Sequence, residues 1–270
     1  MTLPARQRAH GRVSILCERM GAASGIRRLA EAGSARARLP AVRDGIPEAV
    51  LINTAGGIAG GDVFETQVEV AGEARLVVTT AAAEKVYRSG GELSEIRTRL
   101  VLGPGARLDW LPQETILFDR SRLRRRLDVT LDETATALLF EATVFGRAAH
   151  DEILREGAYE DHWRVARPGR LVYADSFRLE GRIAETLARP AVAAGRRALA
   201  SLLYAAPDAE SRLEEARAHL DGAGCECGAS AWGGLLLVRW LAPEIAMLRR
   251  DVARFMNAFR GRPLPRVWHL

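Results

Sequence analysis

Leu51–Arg88 reads LINTAGGIAGGDVFETQVEVAGEARLVVTTAAAEKVYR. An apolar run enters a double-glycine loop, Gly56-Gly57-Ile58-Ala59-Gly60-Gly61-Asp62, and two further strand-like runs follow it. The paired glycines permit positive-φ backbone that other residues disfavour. A Gly-rich loop after a strand cradles phosphate only when a helix N-terminus follows. Here Val63–Val70 follows, a β-branched, partly alternating run that reads as a strand. The spacing is neither GxGxxG nor that of a P-loop. The loop therefore reads as a tight structural turn carrying Asp62.

Outward from this stretch, similar units recur. Ala74–Thr80 precedes Glu84–Arg88, Ala106–Pro112 precedes Glu114–Phe118, Ala135–Glu141 precedes Thr143–Arg147, and Gly169–Ala174 precedes Ser176–Leu179. The period is roughly 30 residues, in the range of solenoids and arrays. Each unit holds strand, turn and strand, with no room for a crossover helix. Stacked β units around a shared core follow from this, although an antiparallel sandwich also places turns at such intervals.

Arg12–Cys17 reads as a strand, with weaker candidates at Arg27–Leu29 and Ala35–Leu39, and Arg43-Asp44-Gly45 is a turn signal. Ala49–Asn53 leads into the glycine loop. In Arg122–Leu131, Leu123, Leu127, Val129 and Leu131 share one face with Arg125. Arg122, Arg124 and Arg126 line the other, either as a solvated face or as a cationic stripe for a partner.

Two helices are predicted near the end. Over 208–220, Ser211-x-x-Glu214 has the form of a capping box, Leu213, Ala216 and Leu220 share a face, and Gly222 stops the run. Over 243–259, Pro243 suits the first helical position, and Ile245, Leu248, Val252, Phe255, Met256 and Phe259 form a stripe. Leu235–Trp240 between them reads as a buried strand. The expectation is one mostly β domain over 1–270: a stacked, β-helix-like body at about 10–205 and 229–241, with two C-terminal helices.

Composition narrows the function. Hydrophobic residues make up 48%, enough for a substantial core, and no window approaches a transmembrane span. The basic N-terminus lacks an apolar signal-peptide core. Cys17, Cys225 and Cys227 make no disulfide framework, so a reducing, cytoplasmic setting is expected. The net charge is +5, carried almost wholly by arginine, with Lys85 the one lysine. That charge is dispersed, without a recognition helix or aromatic platform, so an acidic protein partner fits better than nucleic acid. No HxH, HExxH or zinc pattern links His10, His150, His162, His219 and His269. Cys225-Glu226-Cys227 reads as a loop thiol pair, with soft-metal binding as the alternative. No GxSxG or other nucleophile signature occurs, and an enzymatic role is not expected.

Asn53–Asp62 (NTAGGIAGGD) with Thr79–Arg88 (TTAAAEKVYR) resembles urease accessory proteins of the D type, also called H. Trp110–Val129, Phe140–Ala149 and Leu264–Trp268 look like the same family, so the resemblance covers nearly the whole chain in order. It implies a β-helix-like body, and a strand at Ala198–Tyr204 where alanine content alone favours helix. It also implies a non-catalytic scaffold that joins apo-urease to F-type and G-type accessory partners, the latter a GTPase, and helps load nickel. No nucleic acid or membrane partner is implied. The alternatives left by the residues themselves are a β-solenoid carbohydrate-active enzyme and a basic nucleic-acid-binding protein.

Carboxylates stand beside strand ends and turns at Asp62, Glu84, Glu114, Glu141 and Asp175. Stacking would bring Glu84, Glu114 and Glu141 into a loose ladder. Buried carboxylates need a counter-charge. Arg88 and Arg147 are candidate partners under a structural reading. Under the reading implied by the resemblance, the carboxylates form a transient Ni²⁺ path, with no tightly held cofactor. Oxygen ligands hold nickel more weakly than clustered imidazole or thiolate, and a path must release what it binds.

Overall fold

The chain winds back and forth between two facing sheets, each coil laying one strand in either sheet. The computed structural model describes residues 8–42, 45–147 and 152–269. Four coils stack in parallel. They are β4 (Glu48–Asn53) with β5 (Val63–Val70); β6 (Arg75–Thr80), β7 (Glu84–Val86) and β8 (Ser94–Leu102); β9 (Arg107–Leu111), β10 (Thr115–Leu117) and β11 (Arg122–Leu131); and β12 (Thr136–Phe145) with β13 (Glu156–Arg167). Leu76 lies beside Leu108, and Leu108 beside Ala137, so the repeats quoted from the sequence share one register. The glycine loop forms the corner of the first coil, where Ile58 bridges Val86. No helix interrupts the strands between residues 50 and 180 among the described residues.

The fourth sequence repeat, Gly169–Leu179, is not a coil. It lies in β14 (Arg170–Arg182), antiparallel to β13. Pro168-Gly169 is a two-residue connection with Gly169 at φ +69, and so short a loop permits only a hairpin. The other end of that sheet is closed by β1 (His10–Met20) and β2 (Ala23–Gly33), a hairpin longer than its sequence signals. The second sheet continues from β12 through β15 (Ala198–Ala205) and β17 (Leu235–Ala242) to β16 (Glu226–Trp232), with β3 (Ala35–Arg38) on its far edge. The strand expected at Ala198–Tyr204 is β15: Ala198, Ala200 and Leu202 alternate onto a buried face, and that packing overrides alanine's helical propensity. The short α1 (Ile183–Ala188), absent from the sequence reading, caps the body with buried Ile183 and Leu187.

Strand β12 is buried along almost its whole length because the second sheet is a middle layer. Its inner side meets the first sheet. Its outer side, with Leu138 and Phe140, meets α3 (Ile245–Arg260) and α2 (Leu213–Leu220). The predicted stripe of α3 supplies Leu248, Val252, Phe255, Met256 and Phe259 to this second core, and Gly261 ends the helix at φ +59. Pro243 stands before the helix, whose N-cap is Glu244. The capping box does not form at α2. A 3-10 turn over Glu210–Arg212 precedes the helix, so Ser211 lies inside that turn and donates to Asp208 O at 2.8 Å. Trp268 pins the C-terminal segment into the same layer, donating from Nε1 to Thr79 Oγ1 and Leu111 O at 3.2 Å each.

The Arg43-Asp44 part of the predicted turn and His150 lie outside the described residues.

Candidate functional site

Between the sheets, beside the glycine loop, lies a cavity of about 320 Å³. Its walls are apolar where Val13, Phe64 and Leu51 face it, and polar where Glu84, Thr115, Gln113, Arg125 and Glu141 do. The strand register explains this lining. Glu84 pairs with Thr115, and Thr115 with Thr143, so these three share the inner face. Glu141 is two residues before Thr143 and points the same way. Glu114, one residue before Thr115, points to the opposite face.

Glu84 is half-buried, with no ion-pair partner among the described residues. Asn53 donates to its Oε1 from Nδ2 at 3.1 Å, and its backbone N–H donates to Glu114 O at 2.9 Å. Burial pushes its carboxyl up to about 7, against a smaller downward pull from Asn53. Gly56 and Gly57 form the wall beside it. At Gly57, with φ +152, a Cβ would collide with the Tyr87 ring and lie 2.9 Å from Lys85 O. The bare backbone is what lets this corner close around the cavity. Gly60 does not have positive φ, but a side chain there would strike Ser89 and lie 3.0 Å from Glu92 O.

At the inner end, Arg125 is 4% exposed and bridges the sheets. Its Nη1 donates to Glu141 Oε2 at 2.5 Å, and its Nε and Nη2 donate to Asp161 Oδ1 and Oδ2 at 3.0 and 2.6 Å. Tyr159 Oη accepts from Nη2 at 2.8 Å, and Trp110 Nε1 donates to Glu141 Oε1 at 3.0 Å. Burial opposes the guanidinium charge, but Asp161 and Glu141 outweigh it, so Arg125 stays protonated. Burial raises the Glu141 carboxyl above its ordinary value despite Arg125. Among the described residues, no group of three or more His, Cys, Asp or Glu is arranged to hold a metal ion.

Residues 9–269 match the family described as UreD urease accessory protein. A "Urease accessory protein UreD" of Xanthobacter autotrophicus is 59% identical, across 97% of this chain and 91% of its own length. Proteins of the same name from Azorhizobium caulinodans and Rhizobium etli are 55% and 45% identical, each across at least 96% of both chains. The chain belongs to the UreD family. Its role therefore lies in urease maturation.

In this UreD chain the expected ladder of Glu84, Glu114 and Glu141 is incomplete, because Glu114 is one residue out of phase with the other two. Glu84 and Glu141 share the cavity. Asp62, 3% exposed, instead clamps the glycine loop, accepting the Ala9 and Ala59 N–H groups at 2.8 Å each. Glu114 faces the helical layer, where Arg249 Nη1 donates to its two oxygens at 3.1 and 3.0 Å. Asp175 lies on β14, paired with Arg239 of β17. The expected partners also differ. Arg88 is exposed, while Arg147 pairs with Glu152 and stacks over Phe118. The true counter-charges, Arg125, Arg249 and Arg239, come from another coil, from α3 and from β17, at separations that local sequence does not reveal.

On the outer face, Arg124 Nε donates to Glu160 at 2.6 Å, Arg122 lies 3.8 Å from Glu180, and Arg126 is exposed. The stripe is thus partly neutralised by neighbouring strands. Of the expected loop thiol pair, Cys225 lies in the turn before β16 and Cys227 in the strand itself. Cys225 is buried with its N–H donating to Asp251 at 2.8 Å. Burial, then Asp251, pushes the Cys225 thiol up to about 12, and burial also raises Cys227, so neither is poised as a thiolate. No helix is long and apolar enough to cross a membrane among the described residues.

Proposed function

We propose that this UreD chain is a non-catalytic scaffold that joins apo-urease to the F-type and G-type accessory proteins in the cytoplasm. In that assembly it supports nickel delivery, with the cavity between the sheets as part of the ion's route. The observation that carries this reading is Glu84, a cavity carboxylate that makes no ion pair among the described residues. A carboxylate held partly out of water costs stability, and a passing divalent cation offsets that cost. Oxygen donors without clustered imidazole or thiolate suit release over retention. Asp62, Glu114 and Asp175 are bound to backbone or arginine, and on this reading they serve the fold and not the ion. The α2–α3 layer and the Arg122, Arg124 and Arg126 face are the surfaces we assign to partners. The test is Glu84→Gln, which keeps the shape and the Asn53 hydrogen bond while removing the anion. Urease matured with this variant is expected to contain less nickel, although the variant still folds and assembles.

A further inference from the structure

The inner end of the cavity already contains a cation. Arg125 stands at an inward position of β11, where its neighbours Leu123 and Leu127 are core residues, and Asp161 is its direct cross-strand partner. Glu141 reaches it from the opposite sheet. Besides the two carboxylates, Thr115 and Thr143 hydroxyls accept from Nη1 and Nη2 at 3.3 Å, and Tyr159 Oη at 2.8 Å. The guanidinium is thus enclosed by oxygen ligands on all its nitrogens. Hard divalent cations take the same ligands, and two carboxylates closing on one point are a better trap than the lone carboxylate of Glu84.

We propose that Arg125 is a resident cation that keeps Glu141 and Asp161 from capturing a divalent ion, so that the cavity passes such an ion at Glu84 and does not store it. The inference rests on the nickel-delivery reading above. Its physical basis is the bidentate fork. Arg125 satisfies Asp161 through two nitrogens and Glu141 through a third, so an incoming ion must break all three charge-assisted bonds to enter. Lysine has one compact ammonium and cannot span both carboxylates in this way. Arg125→Lys therefore frees part of the oxygen set while leaving a positive charge to support folding.

The test is calorimetric titration of the full-length chain with NiCl₂, alongside thermal melts with and without the metal. Arg125→Lys is expected to bind Ni²⁺ at least tenfold more tightly than the wild type, and added Ni²⁺ is expected to raise its Tm. Adding Glu141→Gln to Arg125→Lys is expected to remove the gain. An Arg125→Lys chain that folds only with Ni²⁺ present supports the proposal equally. A folded Arg125→Lys chain with wild-type Ni²⁺ affinity, or an unfolded one that Ni²⁺ fails to rescue, overturns it. Binding is read on the isolated chain without urease, so this result and the nickel content of urease matured with Glu84→Gln fail independently.

Discussion

Replacing Glu84 by Gln should stabilise the protein, by an amount that grows as pH rises from about 4.5 and levels off above about 7. The Glu84 carboxyl titrates at about 7 in the folded chain, against an ordinary value of 4.5. The folded state therefore binds this proton more tightly than the unfolded state. Stability is highest below the unfolded value and falls as pH rises through the folded one. With the cost discounted for partial exposure, the ionised carboxyl destabilises the wild type by about 2–3 kcal/mol at pH 8. Glutamine carries no charge and keeps the bond from Asn53, so the variant avoids this cost. Urea denaturation at several pH values between about 4.5 and 8 measures the difference directly. Glu84→Gln is expected to exceed the wild type by about 2–3 kcal/mol at pH 8, with the gap closing to a few tenths near pH 4.5. A gap independent of pH, or a variant less stable than the wild type at pH 8, would refute the assignment of Glu84 as a half-buried carboxyl without an ion partner.

Gly57→Val should destabilise by about 1–3 kcal/mol in the same assay, because it combines positive φ with a collision against Lys85 O and Tyr87; wild-type stability would show that the corner tolerates a side chain. Arg249→Ala leaves Glu114 buried without its ion partner and should cost about 1–3 kcal/mol. Adding Glu114→Gln should recover part of that loss, and no recovery in the double variant would show that Arg249 acts through Trp268 O or Gln113 instead. Charge reversal at Arg122, Arg124 and Arg126 together should weaken pull-down of the accessory partners, more at low salt than at high, and normal capture at both would assign that face to solvent.

The coil geometry was legible because Leu76, Leu108 and Ala137 recur at positions that stack, and because the runs between them are too short for helices. The α3 stripe and the buried β17 were equally plain, since their apolar periodicities are local. The repeat at Gly169 was misleading: its composition matched a coil, but Pro168-Gly169 made a hairpin. The candidate site was half legible. Its carboxylates stood out by type, yet a one-residue offset between Glu84 and Glu114 sends them to opposite faces of the sheet, and only the register reveals it. Arg125 was visible on the apolar face of its strand. A charge in that phase signals a buried partner, but Asp161 and Glu141 come from two other strands, so pairing had to await the fold.

The nickel content of urease matured in the presence of Glu84→Gln bears most directly on the proposed route. The measurement pairs metal analysis of the purified urease with a pull-down showing that the variant still assembles. Less nickel per urease active site than with the wild type, from a chain at least as stable, is the predicted result. Full nickel occupancy with normal assembly would contradict a passage at Glu84.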